Sequence, residues 1–173
     1  ICIFFIQGAN LLYSAFNLNN HFLSAYYIFS QFIFLSFFFY RLFDTVNSKS
    51  KMIVKYSSVL FTAAILFQYI RDPQLYYTFN SIGMLITNCV IVVYSAMYLL
   101  ELLSQKLQFH YVTIGILVYQ MSSVLIFASF ASIVSFNVEI STFIWKINAL
   151  LFIVYQLLIL WEWKQTFYQK AIK

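Results

Sequence analysis

The stretch IWKINALLFIVYQLLILWEWK, residues 144–164, decides the fold. Its charges, Lys146, Glu162 and Lys164, stand at the two ends, and residues 147–161 between them hold none. Wound as an α-helix at about 1.5 Å per residue, the path from Trp145 to Trp161 or Trp163 covers about 24–27 Å. That approaches the roughly 30 Å of a bilayer's hydrocarbon core. Aromatic residues at both ends of an apolar helix form the belts expected where a span meets the two headgroup layers.

The rest of the chain has the same character. Of its 173 residues, 63% are hydrophobic and 9% charged, against about 25% charged in a soluble domain. Such a chain has too few ionic groups to cover a water-facing surface. Three glycines and one proline leave little material for loops. Long unbroken helices are the way to satisfy this much backbone in an apolar medium. A transmembrane barrel needs alternating polarity, and residues 32–39 and 85–100 do not alternate.

Six apolar runs follow from this reading: 1–16, 22–43, 52–70, 76–100, 111–136 and 142–161. The fold class is therefore all-α, a polytopic transmembrane bundle read as a single domain over 1–173. Residues 44–51, 71–74, 137–141 and the tail 162–173 are read as polar connections. Asp72, before the only proline, is expected outside helical geometry. The first run is short, and the chain opens in it without Met. An N-terminal truncation is expected, with six spans visible and seven in the complete protein.

The net charge of +5 follows topology and does not point to nucleic acid. Arg41, Lys49, Lys51, Lys55, Lys106, Lys164, Lys170 and Lys173 fall on one face; Arg71 and Lys146 fall on the other. The positive-inside rule places the first group, and the C-terminus, in the cytoplasm. Cys2 and Cys89 lie in apolar runs without metal-ligand spacing and are read as small buried hydrophobes.

The chemistry on offer is sparse. Asp44, Asp72, Glu101, Glu139 and Glu162 all sit in loops or at span ends. Ion-coupled transporters and pumps place ionisable groups inside the membrane and use broken helices, and neither is read here. His21 and His110 belong to opposite leaflets and cannot share a metal. No cofactor or enzymatic activity is expected. The polar groups within the spans are amides, of which Asn80, Asn88, Gln120, Asn148 and Gln156 are the candidate lining of a neutral pocket. Their alternative role is to hydrogen-bond helix to helix, since lipid offers no partner. Ala128, Ala131, Ser132 and Ser135 form small-xxx-small pairs, a candidate helix-packing face.

The segments NLNNHFLSAYYIFSQFIFLSFFFYRLF (17–43), IGILVYQMSSVLIFASF (114–130) and IWKINALLFIVYQLLILWEWK (144–164) together resemble small uncharacterised multi-pass membrane proteins of Bacteroidetes. The resemblance implies seven spans, a bacterial inner membrane and association with sensory or signalling partners. Gln31 departs from it, standing where the family pattern has an acidic residue. The abundance of Phe, Ile, Tyr, Asn and Lys also fits AT-rich mitochondrial genes, so a mitochondrial inner-membrane subunit remains the second class. The expected function is a non-enzymatic sensory or accessory module. Its partners would be the lipid bilayer and either a small ligand, a partner helix or a second copy in a homodimer. The alternative is a structural subunit of a larger respiratory or secretory complex.

Overall fold

The computed structural model describes residues 6, 9, 12, 13, 16, 21–44, 46–104, 108–133 and 138–171. The described residues are helical, with short turns and no strand. The helices are α1 (His21–Leu42), α2 (Ser48–Arg71), α3 (Ser81–Ser104), α4 (His110–Ile133) and α5 (Val138–Ala171), with a 3₁₀ turn at Pro73–Tyr76. Each of the five contains a segment long and apolar enough to cross a membrane: Phe22–Leu42, Ser48–Arg71, Ser81–Ser104, His110–Ala128 and Lys146–Thr166. These correspond to the second to sixth apolar runs. The first run lies outside the described residues apart from Ile6, Ala9, Leu12, Tyr13 and Phe16.

The chain's contacts fall into two units, Ile1–Thr87 and Asn88–Lys173, divided within α3. In the first unit, α1 packs on α2. Ala25, Ile28, Phe32, Leu35 and Phe39 are buried at three- and four-residue spacing along one face of α1. Phe34 and Phe37 on the other side are exposed and equally apolar, as a helix solvated by lipid requires. The antiparallel pairing shows in ring contacts. Phe29 lies 5.8 Å from Tyr69 between centroids, and the Tyr76 hydroxyl donates to that of Tyr26 at 2.9 Å.

The turn between α1 and α2 corrects the first reading. Residues 44–51 are not all loop, because α2 begins at Ser48. Asn47 has an extended backbone, and its side chain accepts hydrogen bonds from the amides of Lys49 (3.0 Å) and Ser50 (3.4 Å). That cap satisfies donors the helix itself leaves open. Lys51 then donates to the Asp44 carboxylate and stands 4.9 Å above the Tyr40 ring. The lysine holds the exposed Asp44 carboxyl below the usual carboxylate range, chiefly through this hydrogen bond.

The helix α2 ends where the proline dictates. Asp72 leaves helical geometry at φ −131°, and its side chain accepts from the Gln74 amide. Tyr76 and Tyr77, first assigned to a span, lie in the following turn, and α3 starts at Ser81. Two further boundaries also move. Residues 138–141 are helical, and α5 runs on through 162–171, so neither is a turn or a loose polar tail. Cys89 is exposed, not buried, and Cys2 lies outside the described residues.

Candidate functional site: the seam between α4 and α5

In the second unit, α4 and α5 pack along most of their length, and their contacts recur about once per turn in antiparallel register. At one end, Glu162 of α5 accepts hydrogen bonds from the backbone amides of Phe109 (3.2 Å) and Tyr111 (2.9 Å). One turn on, Gly115 faces Leu158 and Tyr155 so closely that an added Cβ would lie 3.0 Å from Leu158 Cδ1 and 3.3 Å from Tyr155 Cδ2. Tyr119 follows, stacked on Tyr155 at 5.5 Å with the rings 4° from parallel, and edge-on to Phe152. Then the Ser123 hydroxyl meets the Asn148 amide oxygen at 3.2 Å.

Glu162 acts as a cap supplied from a distance. Phe109, just before α4, sits in the left-handed region at φ 63°, a conformation that costs a side-chain-bearing residue roughly 1–2 kcal/mol. Its carbonyl accepts from Thr113, through both amide and hydroxyl, but its ring offers nothing to the first-turn donors. The buried Glu162 carboxylate does, and the helix dipole favours a negative charge there. Tyr98 of α3 ties down the same turn by donating to the Gln108 carbonyl at 2.7 Å. Glu162 was missed from sequence because it lies 53 residues from Phe109. Its spacing from Tyr155 and Leu158 places it on their face of α5, which is the signal that could have found it.

The predicted pocket residues fall in both units: Asn80 in the first, and Asn88, Gln120, Asn148 and Gln156 in the second. Asn80 precedes α3 and caps it: its side chain accepts from the Gly83 amide at 2.8 Å. The Asn80 amide also donates to Gln68 at 3.2 Å, so it joins α2 to α3 inside the first unit. Asn148 is bonded to Ser123 across the seam. Asn88 is buried in α3, and Gln156 is half-buried in α5. Gln120 differs from the others. It is 1% exposed, lies on α4 one turn before Ser123, and its carbonyl oxygen has no hydrogen-bond partner among the described residues. Gln31 of α1 carries a second such oxygen.

Of the packing face, Ala128 is exposed on α4. The side chains of Ala131 and Ser132 and all of Ser135 lie outside the described residues. Other hydroxyls are turned inward on their own helices: Thr87 donates to the Gly83 carbonyl and Ser95 to that of Ile91. Among the described residues no three of His, Cys, Asp or Glu group as metal ligands would. The seam therefore offers neutral hydrogen bonding beside stacked aromatic rings, and the Glu162 carboxylate is engaged with backbone amides. Comparison with protein-family models, curated proteins and solved structures gives no match to this chain.

Proposed function

We propose that this protein is a non-enzymatic membrane module that binds a small neutral ligand, or a polar group of a partner helix, at the α4–α5 seam. The observation that carries the reading is the buried carbonyl of Gln120, which has no hydrogen-bond partner among the described residues. Leaving such an acceptor unsatisfied costs about 1–3 kcal/mol, and lipid supplies no donor. A hydroxyl, amide or amine presented beside Tyr119 and Tyr155 would satisfy it. Asn148 on α5, paired with Ser123 one turn on from Gln120, would position the ligand from the opposite helix.

The charge distribution supports a topology for this module. With Arg41, Lys49, Lys51, Lys55 and Lys164 on the cytoplasmic side, the chain reads as six crossings of alternating direction. The C-terminus is then cytoplasmic, and the resemblance to small multi-pass proteins of Bacteroidetes implies a bacterial inner membrane. A structural-subunit role is favoured by a different observation: α2 and α5 expose apolar side chains along their length, including Val59, Phe67, Leu150 and Leu157, which a larger complex could cover.

Gln120→Leu tests the ligand reading. It should stabilise the ligand-free protein, because the orphaned carbonyl is removed, and it should abolish thermal shifts produced by small alcohols and amides. Destabilisation without ligand would mean that the protein itself satisfies Gln120, and the proposal fails. Purification in mild detergent separates the two roles. A monomer or homodimer favours the module, and a stoichiometric respiratory or secretory assembly favours the subunit.

A further inference from the structure

We propose that the groove between α1 and α2 holds an acyl chain of an anionic phospholipid, with the lipid phosphate at Lys55. The groove encloses about 480 Å³, within the roughly 300–1,000 Å³ of small-molecule sites. Ile33, Ser36 and Tyr40 line it from α1, and Lys55, Thr62 and Leu66 from α2. These positions recur at helical spacing, so each wall is one continuous face.

The groove is polarised along its length. Lys55 and Tyr40 stand at one end, and Ile33 and Leu66 at the other. From Lys55 to Leu66 the helix rises about 16 Å, close to half of the roughly 30 Å hydrocarbon thickness. The site thus has the depth of one leaflet, with its cation at the headgroup end.

Two groups in the groove lack the partners a phospholipid would bring. The Lys55 ammonium lies 5.9 Å from the Tyr56 ring centroid, and the one ion pair among the described residues joins Lys51 to Asp44 instead. Ser36 is 4% exposed and its hydroxyl has no hydrogen-bond partner among the described residues. By contrast, the neighbouring Ser58 and Thr62 hydroxyls donate to carbonyls of their own helix at 2.9 and 2.7 Å. Ser36 lies one turn below Tyr40, about 6 Å deeper, the depth of a glycerol ester carbonyl beneath its phosphate. A phospholipid therefore matches the charge at Lys55, the donor at Ser36 and the apolar floor together. A second copy packed symmetrically on this face would bring like charges towards each other. This inference concerns the first unit and stands independently of Gln120.

Native mass spectrometry of the full chain in mild detergent tests it, with phosphatidylglycerol and phosphatidylcholine of identical acyl chains as probes. The parent should retain one phosphatidylglycerol in preference to phosphatidylcholine by about five-fold, the factor one lysine contributes beside an anionic headgroup. Lys55→Gln should erase the preference and Lys55→Arg should keep it. Val59→Trp, which fills the groove, should reduce retention of both lipids. If that variant loses its helical circular dichroism, the two Lys55 variants decide alone. Equal retention of both lipids by the parent overturns the proposal. So does an unchanged preference in Lys55→Gln, or a dimer that Val59→Trp dissociates.

Discussion

Replacing Glu162 by alanine should loosen the start of α4 more than any other part of the molecule. The carboxylate accepts two backbone hydrogen bonds, from Phe109 and Tyr111, and is 5% exposed. A hydrogen bond to a charged group contributes about 1.5–3 kcal/mol net. Headgroup water can reach part of the vacated site, so a loss of about 2–4 kcal/mol is expected for Glu162→Ala. Glu162→Gln retains one acceptor oxygen but loses the charge facing the helix dipole, and should cost about 1–2 kcal/mol. Unfolding in mixed micelles of increasing sodium dodecyl sulfate content, followed by tryptophan fluorescence, gives both values. Hydrogen exchange should locate the loss at the amides of residues 109–113. Lys164→Gln, an exposed neighbour, should stay within about 0.5 kcal/mol of the parent. A Glu162→Ala variant equally close to the parent, or exchange protection lost uniformly along the chain, would refute the reasoning.

Three other outcomes follow from the same geometry. Gly83→Ala brings a Cβ to 2.8 Å from Asn80 Nδ2. It should displace the cap and its bond to Gln68, with a net destabilisation of about 1 kcal/mol after the gain in helix propensity, read by the same micelle titration. A double-mutant cycle of Ser123→Ala with Asn148→Leu should give a coupling near 0.6 kcal/mol, typical of hydrogen bonds between helices in a membrane. The Asp44 carboxyl is depressed by Lys51. Its contribution is therefore present above the unfolded pKa of about 3.9 and lost as pH falls through the lower folded value. An acid titration of unfolding should show this small dependence in the parent and not in Asp44→Asn.

The all-helical, membrane-crossing character was legible because composition leaves no other solution: too few charges for a water-facing surface and too few glycines and prolines for turns. Element ends were less legible. Ser48 to Lys51 read as loop by polarity, yet Asn47 before them supplies the side-chain acceptor that lets a helix begin there. The polar residues after Trp161 read as a tail, yet α5 continues through them, anchored by Glu162. Among the amides, pocket lining and hydrogen bonding between helices were both open for Asn148, and its partner Ser123 was not legible, because spacing along one helix carries no register against another. Asn80 falls inside the apolar run 76–100 and reads as a span amide. Asn80 instead ends the preceding turn and caps α3, a distinction made by the backbone at residues 77–80 and invisible in periodicity.

The contact between Glu162 and the start of α4 also has a consequence for biogenesis. During synthesis, Phe109 and Tyr111 reach the membrane well before Glu162, which follows Phe109 by 53 residues. Until Glu162 arrives, the amides of Phe109 and Tyr111 lack their native acceptor, although Thr113 and Tyr98 already hold the turn around the left-handed Phe109. The α4–α5 hairpin therefore completes as a pair, with α4 settling into its final register only when α5 has crossed back beside it. A ribosome-stalled chain ending before Glu162 should remain accessible to protease or thiol probes around Gln108, and one extending beyond α5 should be protected there.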